Sequence, residues 1–527
     1  MDMAERVRRG VIGEGAVLDG PYGPRRLTYA DYTASGRSLD FVEDAIRRHV
    51  LPLYGNTHTE ASATGAHTTR LREQARRTIH RAVGGTDDDV VIFCGSGVTA
   101  AIDKLVALLG LRGGPGAGGG DRPLVLIGPY EHHSNELPWR ESRADVLVVA
   151  ERPDGHIDLA DLRRLLAENE RRPLIAGSFS AASNVTGVLS DTTAIARVLH
   201  EHGALSVFDY AAGGPYLEIS MTGKDAVVLS PHKFPGGPQT PGVLVVRREL
   251  IPAAPTAPGG GTVAYVDPVG HRYRDDPVAR EEAGTPAIVE SIRAGLVFAV
   301  KEAVGVKSIN AREHRLWRSV SERWRDEPRV RVLGPGDPDR LPIVSFQVAH
   351  GDRFLHHNFV VTLLNDLFGI QARGGCSCAG PYGHRLLGID EARSRAFEKL
   401  IDAGWEGVKP GWARVGLNYF FTPTVAGYLA DAVLFVARCG ARFLPDYRFD
   451  PHTGRWRHRA SPPPVSEIDL LAGGEGEELG EESLAGHLAE AYALAADRPE
   501  PADDGGAGLP GYVEELRWFV LPAVCLQ

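Results

Sequence analysis

Ala226-Val227-Val228-Leu229-Ser230-Pro231-His232-Lys233 sets an apolar four-residue run directly before a proline-marked turn that carries a lysine. A run this short and uncharged is what a strand buried on both faces of a sheet requires. Upstream, Ala204 to Asp209 has the same character and ends on a carboxylate. Five further runs repeat the pattern: Val90 to Phe93, Leu124 to Ile127, Val146 to Ala150, Leu174 to Phe179 and Gly242 to Val246. Helix-period segments separate them, such as Thr99 to Leu109 with Ile102, Leu105, Val106 and Leu109 on one face. The alternation predicts an α/β fold with a mostly parallel seven-stranded sheet between helices. In such sheets ligands gather beyond the carboxyl ends of the strands, where Asp209 and Lys233 both fall.

The chain has 527 residues, 43% of them hydrophobic, enough for a large core and about two or three domains. Its formal charge of -10, with Lys and Arg interspersed, leaves no basic stripe for nucleic acid, so a small-molecule partner is expected. Five cysteines at positions 94, 376, 378, 439 and 525 form no disulfide framework, which fits a reducing cytoplasm. No run of about 18 apolar residues marks a membrane span, and Met1 to Gly10 lacks a signal-peptide core. After Pro286 a helical stretch, Ile288 to Val304, leads into a mixed region ending near Cys439. The expected division is a large domain over 41–289, a smaller α+β domain from 1–40 and 290–440, and an acidic extension over 441–527. That extension opens with the breaker cluster Ser461-Pro462-Pro463-Pro464 and the acidic run Glu475, Glu477, Glu478, Glu481 and Glu482, and is expected to be partly ordered. Tyr512 to Leu521 is apolar enough to dock on the body of the protein, and Gly113 to Gly120 reads as a surface loop.

A lysine at one strand end, downstream of an acid at another, suits pyridoxal phosphate chemistry, with the amine carrying the cofactor and the carboxylate facing its ring nitrogen. A lone lysine is otherwise a solvated surface charge, so its companions decide. Gly95-Ser96-Gly97-Val98-Thr99 joins a strand to a helix; it is either a phosphate-binding helix end or only a tight turn. Glu131-His132-His133-Ser134-Asn135 offers an imidazole that could stack on a flat cofactor or move a proton; a metal site on the two histidines is the rival. Arg373-Gly374-Gly375-Cys376-Ser377-Cys378 has the profile of a reactive thiol in a glycine-rich loop, with inert packing or a zinc site shared with His384 as alternatives. Arg414, in a β-like run, could grip a carboxylate or form a plain surface salt bridge.

In order, these pieces resemble the class V aminotransferase family of fold type I pyridoxal phosphate enzymes, most closely its group II cysteine desulfurase and selenocysteine lyase branch. The similarity spans about 28 to 425. It is anchored by Asp31-Tyr32-Thr33-Ala34-Ser35, Asn56-Thr57-His58, the Gly95 to Thr99 turn, Glu131 to Asn135 and Ser183-Asn184-Val185-Thr186-Gly187. Further anchors are Asp209, Ser230 to Lys233, Gly259-Gly260-Gly261-Thr262, Glu282-Ala283-Gly284-Thr285-Pro286, Arg373 to Cys378, and Arg414. The resemblance implies that Lys233 binds pyridoxal 5'-phosphate as a Schiff base, that Asp209 pairs with the ring nitrogen and that His132 stacks on the ring. It implies that Val98, Thr99, Ser230 and His232 hold the phosphate, while Thr262 reaches the phosphate of the neighbouring subunit in a homodimer. Asn184 and Arg414, supported by Arg373, fix the substrate α-carboxylate, and Cys378 takes the sulfur of an amino-acid substrate as a persulfide, to be removed by a thiol or an acceptor protein. No metal, nucleic acid or membrane is expected. Three departures stand out: Ala212 occupies the place of the family's usual glutamine, the Cys378–Arg414 segment holds an extra charged helix-like insert over Asp390 to Ala403, and Cys376 is an added thiol. Another class V reaction (C–S lyase, aminotransferase or epimerase) and a non-catalytic scaffold are the competing readings.

Overall fold

The computed structural model describes residues 2–114, 122–336, 340–461, 477–501 and 508–526. The chain divides into two compact units, one of Met1–Ile12, Thr33–Ala311 and Asp339–Leu341, the other of Gly13–Tyr32, Arg312–Pro338 and Pro342–Gln527.

The larger unit is built on β1 (Asp89–Phe93), β2 (Leu124–Ile127), β3 (Asp145–Val148), β4 (Ile175–Ser180), β5 (Leu205–Asp209), β6 (Ala226–Leu229) and β7 (Val243–Arg247), in the sheet order β1-β7-β6-β5-β4-β2-β3. Strand β7 runs antiparallel to both neighbours, and the remaining pairs are parallel. All seven expected strands form, with ends within two residues of expectation; six are almost wholly buried apolar runs, while the edge strand β3 leaves Leu147 and Val148 exposed. Helix α1 (Ala63–Ala82) precedes the sheet, and the crossovers include α2 (Gly97–Leu108) and α3 (His133–Arg140). Helix α4 (Ile288–Val304) packs on α1 at close range: a Cβ on Gly295 would lie 2.5 Å from the Cβ of Ala75.

The smaller unit holds β8 (Val330–Val332), β9 (Ile343–His350), β10 (Arg373–Gly375) and β11 (Trp412–Gly416), an antiparallel sheet ordered β8-β9-β11-β10. Helices α5 (His357–Phe368), α6 (Gly380–Leu387), α7 (Glu391–Asp402) and α8 (Pro423–Cys439) accompany it. The length and apolarity of α8 would suit a membrane span, but the helix is the core of this unit, buried from Val425 through Ala430 and from Ala432 through Ala437.

These divisions differ from the expected boundaries. Residues 1–12 and α4 belong to the larger unit, the latter through its seam with α1. The described part of 441–526 is no separate extension, since Phe443, Leu444, Phe449, Trp456, Leu484, Ala491, Phe519, Leu521 and Cys525 all enter the smaller unit's core. Here a hairpin, β12 (Tyr447–Asp450) and β13 (Arg455–His458), turns Tyr447, Phe449 and Trp456 inward and Arg448, Asp450, Arg455 and Arg457 outward. The period-2 code was hidden under arginines. Docking of the 512–521 segment is realised through Val513, Phe519 and Leu521, each fully buried. Of the expected Gly113 to Gly120 loop, residues from 115 onward lie outside the described residues, as do Pro462 to Pro464 and Glu475.

Candidate active site

In the larger unit, β5 ends at Asp209 and β6 feeds Ser230 and a single 3-10 turn, Pro231–Lys233. The two strands are parallel neighbours, so the acid and the turn emerge at the same sheet edge. Asp209 is 3% exposed and accepts a hydrogen bond from the Ala211 N–H at 2.6 Å. Burial pushes its carboxyl up to about 6, against the pull of that N–H and of the Lys233 charge. His232 is driven down to about 4 by burial and by the Lys233 charge, so its imidazole is neutral near pH 7.

The same edge carries an open helix end. Helix α2 starts after Ser96, whose side chain makes no cap, and Ser96 and Thr99 are exposed. Ser230 Oγ accepts the Val98 N–H at 3.0 Å, tying the turn before the lysine to the first turn of α2. Gly97 sits at φ 55°, and a Cβ there would lie 2.9 Å from both Ser230 Oγ and His232 Cε1. A Cβ on Gly242 would fall 2.0 Å from the Gly97 carbonyl oxygen. The cradle therefore stays hollow only with glycine at these two positions. Its N–H groups and positive helix end favour a phosphate.

His132 is the N-cap of α3, its Nδ1 accepting the Ser134 N–H at 3.0 Å, and Thr99 Oγ1 lies 2.7 Å from Ser134 Oγ. An accepting Nδ1 leaves the ring proton on Nε2. Beside it Glu131, 3% exposed, accepts from Ser180 N–H (2.9 Å), Ser180 Oγ (2.6 Å) and Asn135 Nδ2 (2.6 Å). Burial outweighs these donors and raises its carboxyl to about 7, with the Asp209 charge adding to the rise. Ser180 is the β4 partner of Asp209, so Glu131 braces the strand pair that presents the acid. In the sequence Glu131 carries one signal of this role, a charged residue beside a strand end.

Asn184, 7% exposed, rides on a turn in which Ser183 Oγ accepts the Val185 and Thr186 N–H groups. Thr262 is fully buried and its hydroxyl donates to the Gly259 carbonyl at 2.6 Å. It stands on a separate turn before the Val263–Val266 strand.

The remaining expected residues lie in the smaller unit. Arg373 and Arg414 are register partners across β10 and β11, and Asp31 takes one from each carboxylate oxygen: Arg373 Nε to Oδ2 at 2.9 Å and Arg414 Nη2 to Oδ1 at 3.1 Å. Burial lowers the Arg414 guanidinium from its ordinary value, and the nearby Arg373 charge lowers it further; Asp31 and Cys378 act the other way. Cys378 is thus within electrostatic reach of Arg414. It is exposed, Cys376 is half-buried, and the backbone between β10 and α6 turns through φ 113° at Gly375, 51° at Ser377 and 54° at Cys378. Two successive non-glycine residues in the left-handed region cost about 1–2 kcal/mol each, which marks the loop as held by its surroundings. Cys376, Cys378 and His384 do not gather as metal ligands; among the described residues no three His, Cys, Asp or Glu side chains do.

A protein-family model described as Aminotransferase class-V matches residues 28–394. The chain belongs to the class V aminotransferase family. This class V enzyme is 29% identical over 372 residues to a probable cysteine desulfurase of Halalkalibacterium halodurans, covering 69% of its own length and 87% of that protein. To a probable cysteine desulfurase of Streptomyces coelicolor it is 28% identical over 364 residues, 68% of this chain and 84% of the relative. Its fold matches a cysteine desulfurase from Thermococcus onnurineus NA1 with a TM-score of 0.68 at 24% identity, over 83% of this chain and 99% of the other. A second match is a cysteine desulfurase from Escherichia coli, with TM-score 0.60 and 23% identity over 77% and 93% of the two chains. The fold type I architecture of the class V enzyme is thereby shown.

Proposed function

We propose that this enzyme is a pyridoxal phosphate-dependent cysteine desulfurase, which takes sulfur from L-cysteine or a related amino acid onto Cys378 and releases alanine. The observation that carries the reading is Cys378 itself: an exposed thiol on a loop fixed in a left-handed turn, within the field of Arg414, in a chain whose relatives bear that name. The hollow at Gly97 and Gly242, the buried acid and the turn lysine suit the cofactor's phosphate, ring nitrogen and aldehyde in turn. When bound, the cofactor supplies an electron sink for charge developing at the substrate α-carbon.

The residues of the chain do the rest. With the cofactor bound, Asp209 would keep a carboxylate against the ring nitrogen, His132 would lay its imidazole on the ring, and Val98, Thr99, Ser230 and His232 would surround the phosphate. Lys233 Nζ would anchor the cofactor and carry the substrate's α-proton. Arg414 and Asn184, with Arg373, grip the substrate carboxylate, and Asp31 pre-sets the two guanidinium planes for that task. The Cys378 thiolate attacks the substrate sulfur. The enzyme works as a homodimer in a reducing cytoplasm consistent with five free cysteines, and Thr262 would serve the neighbouring subunit only once the Gly259–Thr262 turn opens and frees its buried hydroxyl.

Purified enzyme given L-cysteine yields alanine and a Cys378 persulfide detectable by peptide mass. Cys378→Ala keeps the cofactor's visible absorption and loses alanine formation by about a hundredfold or more, the scale expected on removing a nucleophile. Pyruvate and sulfide in place of alanine, undiminished in Cys378→Ala, would instead support another class V reaction, a C–S lyase, a reading favoured by the buried Ala212, whose methyl offers no hydrogen bond.

A further inference from the structure

The insert that sets this chain apart builds a cavity. Helices α6 and α7 and the start of β11 border a half-open pocket of about 200 Å³, walled by Cys376, His384, Leu387, Phe397, Ile401 and Trp412. The walls are firm. Phe397 and Leu400 of α7 sit in a small core with Val408 and Val513, and Asp390 caps the helix by accepting the Arg393 N–H at 2.8 Å. Trp412 is fully buried, and its indole N–H meets no acceptor among the described residues. Mixed charges, Glu398, Asp402 and Lys409, complete the lining, so neither sign is selected. The one thiol on the wall is Cys376, two positions before the exposed Cys378.

We propose that this cavity seats the apolar body of a small thiol, about the size of a phenyl or hexyl group, that collects sulfur from the enzyme through Cys376. A space of about 150 Å³ with such walls holds benzene, which sets the size. The proposal rests on the desulfurase reading. The Cys376 thiolate attacks the outer sulfur of the Cys378 persulfide; the bond from that sulfur to Cys378 Sγ breaks, and Cys378 leaves as a thiolate. The seated thiol, as its thiolate, repeats the exchange on Cys376, leaving as a small-molecule persulfide while Cys376 returns to the thiolate. Each exchange makes one S–S bond and breaks one, so no oxidant or reductant enters.

Holoenzyme without substrate is treated with N-methylmaleimide or N-hexylmaleimide, and labelling at each cysteine is read by peptide mass. The Cys376-to-Cys378 labelling ratio rises at least tenfold with the hexyl reagent, and Ser394→Trp, which fills the cavity from a half-exposed helix position, removes the rise. In turnover with L-cysteine, kcat/KM for linear alkanethiol acceptors climbs up to about fourfold per added methylene until the cavity is full. Ile401→Ala moves the plateau to a longer chain, which guards against a Ser394→Trp protein that fails to fold. An unchanged labelling ratio, or acceptor rates independent of chain length, overturns the proposal. An enzyme that makes no alanine with any acceptor overturns the desulfurase reading, while the labelling ratio still reports on the cavity.

Discussion

Asp31 is the counter-ion on which two arginines depend, and its partners lie 342 and 383 residues away in sequence. Asp31→Asn removes the carboxylate to which both the buried Arg414 and Arg373 donate, a loss on the order of 3 kcal/mol that denaturant unfolding measures, with a raised KM for cysteine alongside. Glu131 makes a pH prediction. Its carboxyl is raised from an ordinary 4.5 to about 7, so the folded protein keeps a proton that the unfolded chain gives up. The group's stabilisation is complete below about pH 4.5 and is lost as pH rises towards 7. Glu131→Gln in the cofactor-free protein should flatten that part of the Tm-against-pH curve between pH 5 and 8. Its overall Tm should fall, because Gln offers one acceptor oxygen where three donors share two on Glu131. Residue types at this scale were readable: the lysine, the acid and the thiol announced themselves. Their partners were not, since a salt bridge across several hundred residues leaves no local pattern.

At the scale of elements, strands were legible wherever both faces are buried, because composition alone then marks them, and Ile288–Val304 was legible through its apolar face. The Cys376–Cys378 loop was read only as glycine-rich. Its left-handed backbone falls on Ser377 and Cys378, residue types that do not advertise that conformation. The α2 end gives the sharpest element-level test. Gly97→Ala places a methyl at positive φ, 2.9 Å from Ser230 Oγ, costing about 1–2 kcal/mol from the backbone alone. Apo-protein titrated with pyridoxal phosphate should then show affinity about tenfold weaker or worse, read from the growth of visible absorption. Equal affinity would remove the helix end from the cofactor's contacts. The seam of α4 on α1 should be equally intolerant: Gly295→Leu meets the Ala75 backbone and should lower Tm steeply.

Across the molecule, residues 508–526 behave as structure. Val513, Phe519, Leu521 and Cys525 are all fully buried, and Trp518 stacks on His357 at 5.7 Å with planes 5° apart. His357 in turn lies under the strand that leads to the thiols, since a Cβ on Gly374 would meet its ring at 3.2 Å. Deleting 508–527 uncovers side chains worth about 1.5–3 kcal/mol apiece, a sum comparable with a domain's whole stability of about 5–15 kcal/mol. Limited proteolysis of the truncated chain should therefore degrade the smaller unit while leaving a resistant fragment of the larger one. The apolar run Trp518-Phe519-Val520-Leu521 made this docking legible in the sequence, though not which core it joins. The layout also bears on biosynthesis. Thr28–Tyr29 pairs in parallel with Ile370–Gln371, and the same core closes over Cys525. A nascent chain thus holds its early smaller-unit segment unpaired until Gln371 has emerged, and that unit matures only after residue 525 has cleared the ribosome.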